Sequence, residues 1–307
     1  MSKKGYDIDW IIPASYAPQD AVSTAHGYEA IIAGGEKYDR WALEQLSDSL
    51  RIIVRHGTGI DNIDLATASD LGIAVTNTAG KNARAVAEHA LGMMLALTRK
   101  IALCDRELRK GNWCPAFSRE LYGKTIGIIG YGAIGQWLAK LLRGFDCEIL
   151  AYDLRWNVGD DAPEGAKVTD MDDLLSQSDF VSLHIPLTPQ TENSIGIEFF
   201  QKMKQSAFFV NTARGKLVRE DELIRALQDG IISGACLDVF ANAPIDGSHP
   251  LCGMDDVVLT PHCSAGSAES MNDTLTTCTT SLIEFFSGKI PSGILNADYL
   301  ASKNKGV

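Results

Sequence analysis

The chain has 307 residues, with 28 Lys and Arg against 39 Asp and Glu, a formal charge of −11. That length and a composition of 45% hydrophobic and 22% charged residues read as a globular protein of two ordinary domains, and the acidic balance disfavours nucleic acid or an anionic membrane as partner. The seven cysteines show neither a C-x-x-C pair nor zinc-type Cys/His spacing, so no disulfide framework and no metal site is expected; with no apolar leader after residues 1–9 and no run of ~18–20 apolar residues, a cytoplasmic protein is expected.

Apolar runs at 10–12, 30–33, 52–54 and 73–75, separated by polar helix-compatible segments, predict an α/β region with a parallel sheet. Val86, Ala90, Met93, Met94, Leu97, Ile101 and Leu108 recur near helical spacing without a proline, which predicts one long helix over 86–108. Strands are then predicted near 125–129, 148–152, 180–185, 207–211, 234–239 and 257–259, with helices such as 133–142 and 220–228 between them. Six strands alternating with helices describe a doubly wound sheet. A last amphipathic stretch follows Thr274 and runs through Phe286.

The first strand of the second series leads directly into Gly130-Tyr131-Gly132-Ala133-Ile134-Gly135, and a helical pattern starts at once. This is the G-x-G-x-x-G turn in the strand-turn-helix setting that binding a dinucleotide requires. Gly130 permits the tight turn, Gly132 lets a pyrophosphate approach the backbone, Gly135 lets helix and strand pack closely, and the helix N-terminus attracts the negative charge. Asp153 ends the next strand, where a carboxylate can accept hydrogen bonds from both ribose hydroxyls and repel a 2′-phosphate. NAD is therefore expected over NADP, although Arg155 is placed to meet a 2′-phosphate.

With its neighbours, this stretch resembles the D-isomer-specific 2-hydroxyacid dehydrogenases, most closely the phosphoglycerate dehydrogenase-like members. The resemblance is carried, in order, by Arg55-His56-Gly57-Thr58-Gly59-Ile60-Asp61-Asn62, Asn77-Thr78-Ala79-Gly80 leading to Val86-Ala87-Glu88-His89, Glu120-Leu121-Tyr122-Gly123-Lys124-Thr125, Ser182-Leu183-His184-Ile185-Pro186-Leu187-Thr188-Pro189, Val210-Asn211-Thr212-Ala213-Arg214-Gly215 and Leu259-Thr260-Pro261-His262. It implies a Rossmann-type coenzyme domain at 100–285 inserted into a flavodoxin-like substrate domain at 1–99 and 286–307, with substrate in the cleft between them. It also implies a homodimer whose interface uses the helix predicted at 86–108.

Interconverting a 2-hydroxy acid and its 2-oxo acid needs a cation to grip the carboxylate and polarise the carbonyl, a hydride carrier, and a proton donor. By resemblance, Arg214 is the cation and His262 the acid–base group. The backbone of Thr58, Gly59 and Ile60 surrounds the substrate carboxylate, and Arg55 and Lys81 lend positive charge. Thr78, Thr212, Ala213 and Asp238 join the glycine turn and Asp153 as coenzyme contacts, and His184 lines the nicotinamide end. A phosphoglycerate-like substrate is expected first, with glyoxylate or hydroxypyruvate next.

One departure stands out. The family places a glutamate immediately before a proline in the segment after the sixth strand, hydrogen-bonded to the catalytic histidine; here Asp238-Val239-Phe240-Ala241-Asn242-Ala243-Pro244 puts Ala243 there. Without that carboxylate, the imidazolium form of His262 loses a stabilising partner. Asn242 and Asp246 are candidate replacements. The missing glutamate also raises an alternative function, a dinucleotide-binding sensor or corepressor-like scaffold with weak turnover.

Overall fold

The computed structural model describes residues 7–297, which divide into two compact units. The first takes the described residues up to Asn82 together with those from Ala268 onward, and the second, Ala83–Ser267, is inserted into its chain. These bounds differ from the expected 99/100 and 285/286, and the packing of two helices explains why.

In the first unit, helix α1 (Pro18–Ala25) precedes strand β1 (Ala30–Ala33), followed by α2 (Arg40–Leu46), β2 (Ile52–Arg55), α3 (Leu65–Leu71) and β3 (Ala74–Asn77). The three strands form a parallel sheet in the order β1-β2-β3. Strand alternation assigns its faces. Ile53 and Val75 pack with Ala21, Leu43 and Leu46 of the first two helices, while Ile52, Val54 and Ala74 pack with Cys278 and Leu282 of the C-terminal helix Ala268–Phe286. That helix belongs with the first unit because it covers this second face. The result is the three-layer arrangement expected of a flavodoxin-like unit, with three strands. Asn296 then pins the tail to β3: its Oδ1 accepts the Val75 N–H at 2.9 Å and its Nδ2 donates to the Ile73 carbonyl at 2.9 Å. The strand expected at 10–12 does not form; Trp10 and Ile12 are each 82% exposed, and β1 pairs only with β2. A three-residue apolar run is too short for periodicity to identify a strand.

The second unit opens with α4 (Ala83–Thr98) and α5 (Ile101–Arg109), separated by Lys100 in the left-handed region at φ 54°. The predicted single helix is thus two. Ala87, Ala90, Met93, Met94 and Leu97 of α4 are buried in one cluster with Leu138, Ala139 and Leu142 of α6 (Ala133–Leu142), which places α4 with the coenzyme unit. Much of the apolar surface expected to serve a partner is therefore used inside the chain. By contrast, α5 buries none of its residues.

The large sheet contains β4 (Thr125–Ile129), β5 (Glu148–Tyr152), β6 (Asp161–Ala162), β7 (Ala166–Val168), β8 (Phe180–Leu183), β9 (Phe208–Asn211), β10 (Gly234–Leu237) and β11 (Val257–Leu259). Between them lie α7 (Met171–Gln177), α8 (Ile197–Lys202) and α9 (Glu220–Gln228). The strand order is β11-β10-β9-β8-β4-β5-β7-β6, parallel throughout except for β6 against β7. The run β7-β5-β4-β8-β9-β10 has the 3-2-1-4-5-6 order of doubly wound dinucleotide folds, with its reversal between β4 and β8. The six predicted strands are present; the third strand of the fold is the short β7. No helix among the described residues is long and apolar enough to cross a membrane.

The packing of α4 is testable with Met94→Ala, which removes a side chain with no exposed surface. The expected cost is about 2–5 kcal/mol in chemical denaturation. Hydrogen exchange should accelerate first in α4 and α6; acceleration confined to β1–β3 would place the helix with the wrong unit.

Candidate active site

The carboxyl ends of the parallel strands in the second unit gather most of the expected site residues. After β4, the glycine turn enters α6 with Gly132 at its N-cap. Gly130 has φ +93°, and a Cβ there would lie 2.5 Å from the His184 carbonyl oxygen; a Cβ at Gly135 would lie 2.7 Å from the Gly130 carbonyl oxygen and 3.0 Å from Ile128 Cγ2. Both glycines are thus required by the protein's own packing. A Cβ on Gly132 would meet only Arg155 Nη2, at 3.9 Å. Its lack of a side chain leaves the room that a phosphate would need to approach the backbone there.

Asp153 follows β5 and accepts the Tyr131 N–H of the glycine turn at 2.8 Å. Arg155 forks onto the same carboxylate, Nε to Oδ1 at 2.8 Å and Nη2 to Oδ2 at 2.8 Å, and its Nη2 also reaches the Tyr131 carbonyl at 3.0 Å. The Arg155 hydrogen bonds hold the Asp153 carboxyl below the usual carboxylate range. The arginine expected to compete with Asp153 is therefore its partner.

His184 follows β8, with its Nε2 2.9 Å from Ser182 Oγ. Burial pushes its imidazole down to about 4, so it is neutral near pH 7 and unsuited to carrying a proton. Its Nδ1 and the Thr212 Oγ1 after β9 are buried without a hydrogen-bond partner among the described residues. Orphaned polar atoms of this kind, beside a glycine turn and a ribose-type carboxylate, fit a bound dinucleotide.

Arg214 is carried on a turn braced by Asn211, whose Oδ1 accepts the Ala213 N–H at 3.0 Å and whose Nδ2 donates to the Arg214 carbonyl at 3.0 Å. The Arg214 guanidinium is half-buried and donates to the Ala213 carbonyl at 2.8 Å. A Cβ on the next residue, Gly215, would lie 2.0 Å from the Phe240 carbonyl, so this turn packs directly on the backbone leaving β10.

His262 is exposed and lies in the left-handed region at φ 52°. Its N–H donates to the Asp238 carbonyl at 2.8 Å. The Asp238 carboxylate has no exposed surface. It accepts the Thr260 hydroxyl at 2.6 Å, the Cys263 N–H at 2.9 Å and the Ser264 N–H at 3.0 Å. Thr260 Oγ1 is also 3.0 Å from His89 Nε2. Asp238 thereby acts as an internal clamp, a role that its expected coenzyme contact did not suggest; His89 and Thr260 carried no sequence signal for joining it.

Ala243 is exposed on the segment after β10. Asp246 accepts both the Ser248 N–H, at 2.8 Å, and the Ser248 hydroxyl, at 2.5 Å. Those bonds hold its carboxyl below the ordinary range. Glu220 is likewise engaged, accepting the Ala241 N–H at 3.0 Å and lying 3.4 Å from His249 Nε2.

The remaining expected residues lie in the first unit. There the Gly57 N–H donates to the Thr78 hydroxyl at 2.9 Å, and Asn77 Nδ2 donates to the Thr58 carbonyl at 2.8 Å. Thr78 thus braces the loop after β2. The N–H groups of Thr58, Gly59 and Ile60 have no acceptor among the described residues, so this loop would have donors to offer a carboxylate. Arg55 is turned onto its own loop, donating to the His56 carbonyl and, at 3.3 Å, to Asn62 Oδ1.

The family model for the D-isomer specific 2-hydroxyacid dehydrogenase NAD binding domain matches residues 91–264. The chain belongs to the D-isomer-specific 2-hydroxyacid dehydrogenase family. It is 40% identical over 260 residues to a glyoxylate reductase from Thermofilum pendens, covering 82% of this chain and 76% of the relative. It is 36% identical to a D-3-phosphoglycerate dehydrogenase from Archaeoglobus fulgidus, covering 88% of this chain and 51% of the relative. A solved D-lactate dehydrogenase from Aquifex aeolicus, in complex with NAD and lactic acid, superposes with a TM-score of 0.81 at 29% identity, over 89% of this chain and 88% of that one. This family member is an NAD-dependent oxidoreductase of the D-2-hydroxyacid dehydrogenase type.

Asp153→Ala should weaken NADH binding about tenfold, a loss of ~1.4 kcal/mol, and narrow the preference over NADPH in fluorescence titrations. Because Asp153 is held below the usual carboxylate range, it stays ionised above the ordinary carboxylate value and its contribution is lost only as the solution becomes more acidic than that. NADH affinity should accordingly be flat between about pH 5 and 8. Equal affinity of the unaltered protein for both coenzymes would assign the pocket to Arg155 instead.

Proposed function

We propose that this dehydrogenase reduces a small unphosphorylated 2-oxo acid of the glyoxylate or hydroxypyruvate class in the cytoplasm, with Arg214 and His262 as its catalytic residues. The observation that carries the reading is that both leave the carboxyl edge of the sheet that bears the glycine turn, at the ends of β9 and β11. Bound NADH supplies the hydride. The Arg214 fork suits a grip on the substrate carboxylate and a pull on the carbonyl oxygen. His262, exposed on its turn, suits delivery of a proton to the new alkoxide.

This order of substrates reverses the one expected from sequence. Arg55, expected to lend positive charge near the substrate loop, is engaged by its own loop, and the phosphoglycerate dehydrogenase relative is matched over about half its length. Initial rates with NADH across glyoxylate, hydroxypyruvate, its phosphate and larger 2-oxo acids test the assignment; the highest kcat/KM on the phosphorylated acid would overturn it. The sensor alternative gains no support from a family of reductases and dehydrogenases, and the chain retains both Arg214 and His262.

The protein is further proposed to act as a homodimer joined through the α5 arm. The basis is that α5 buries no residue and that Trp113 and Phe117 beyond it are 86% and 103% exposed. Sedimentation should give twice the chain mass, and Trp113→Ser with Phe117→Ser should shift the protein toward monomer. Retention of the dimer would remove the arm from the interface.

Arg214→Lys should retain NADH affinity and lose most turnover, since lysine keeps the charge without the planar fork. A near-normal rate would remove Arg214 from the chemistry. Ala243→Glu should move the alkaline limb of the reductive pH profile upward, because a nearby carboxylate favours imidazolium, the acid that reduction needs. The comparison requires conditions where chemistry limits the rate. An unmoved limb would mean that position 243 does not address His262.

A further inference from the structure

The fold brings three chemically distinct ligand atoms together at one place that the sequence spacing does not mark. His89 Nε2, an Asp238 carboxylate oxygen and Cys263 Sγ all lie within 4.8 Å of one another. They come from three separate elements: the middle of α4, the end of β10 and the turn after β11. His89 Nε2 is 3.8 Å from Asp238 Oδ1. The ligands of a tetrahedral zinc ion, at ~2.0–2.3 Å from the metal, are roughly 3.3–3.6 Å apart. With separations of at most 4.8 Å, no pair therefore needs to close by more than roughly 1.5 Å to share an ion.

We propose that His89, Asp238 and Cys263 form a binding site for a thiophilic divalent cation of the zinc class. The donor set of imidazole, carboxylate and thiolate suits such an ion, and three protein ligands leave a fourth position for water. Access is provided by a cavity of about 490 Å³ lined by His89, Thr260 and Cys263 together with Glu88, Met93 and Ser264; none of its lining residues is Lys or Arg.

Occupation requires two local changes. In the structure the Thr260 hydroxyl donates to Asp238 while His89 Nε2 lies within hydrogen-bond distance of the Thr260 oxygen. On binding, Thr260 gives up the Asp238 oxygen, His89 presents an unprotonated Nε2 with its proton on Nδ1, and the Cys263 thiol releases its proton to solvent. No redox change is involved. Because Asp238 clamps the turn that carries His262, a bound cation would also inhibit turnover; this consequence rests on the acid–base assignment of His262, whereas binding itself does not.

The test is a titration of the reduced, chelator-treated protein with Co²⁺, read by absorption. A thiolate-to-cobalt charge-transfer band saturating at one ion per chain, displaced by Zn²⁺, is expected. Cys263→Ser, which keeps the backbone N–H on Asp238, should abolish the band, and His89→Gln should weaken binding by more than the about 10–100-fold cost of losing an outer-sphere partner. The absence of a charge-transfer band in the unaltered protein, or its persistence in Cys263→Ser, would overturn the site. Zn²⁺ binding without inhibition of 2-oxo acid reduction would leave the site standing and remove only its link to His262.

Discussion

The turn that carries His262 depends on one buried carboxylate. Asp238 has no contact with solvent, and an unpaired charge in that position would cost several kcal/mol. It is paired instead with a hydroxyl and two backbone N–H groups, from Thr260, Cys263 and Ser264. Its own carbonyl takes the N–H of His262. Two successive backbone donors, at 263 and 264, thus converge on its carboxylate, as turn N–H groups usually do on an external anion. Here the protein supplies the anion. This arrangement offsets the roughly 1–3 kcal/mol expected for a non-glycine residue held in a sparsely populated backbone region, and it fixes the direction in which His262 leaves the backbone.

The opposite side of the strand-order reversal follows the same pattern on a smaller scale. Asp153 ties the glycine turn to the end of β5 through the Tyr131 N–H, and Arg155 ties the same carboxylate back to the Tyr131 carbonyl. Asp153, Arg155 and the glycine turn are therefore already ordered by one another, which would lower the conformational entropy lost if a coenzyme binds there. Arg155 is more than half exposed in this arrangement, so the pair is held chiefly by its bidentate geometry and the backbone, since surface charge attraction alone contributes little.

Much of this was legible in the sequence because its physical requirements are local. The glycine turn declares itself within six residues, and the contact of Gly135 with the Gly130 carbonyl is one such a turn implies, whereas the His184 carbonyl against Gly130 comes from tertiary packing. Arg214 and His262 are singled out in the sequence by the motifs around them, and the structure sets them just beyond β9 and β11; their catalytic roles remain a proposal. What the sequence concealed depends on tertiary packing. The strand β7 is only three residues long, with exposed Lys167 between buried Ala166 and Val168, and carries too little pattern to stand out. The break at Lys100 depends on one left-handed residue with no glycine to mark it. The meeting of His89 with Asp238 and Cys263 depends on α4 packing in the coenzyme unit, while a heptad-like apolar stripe says only that a helix has a buried face.

The way Asn296 fastens the tail to β3 also bears on how the chain reaches its folded state. Val75 and Ile73 emerge early in synthesis, yet their partner follows only after the entire coenzyme unit has been made. Until then the face formed by Ile52, Val54 and Ala74 lacks the helix Ala268–Phe286 that covers it. The inserted unit is continuous in sequence and can complete its core first, whereas the surrounding unit depends on contacts of long sequence separation, which form slowly because of the loop closure they require. During that interval the nascent first unit presents an apolar sheet face to the cell, the feature by which holdase chaperones recognise clients and by which unfinished chains aggregate.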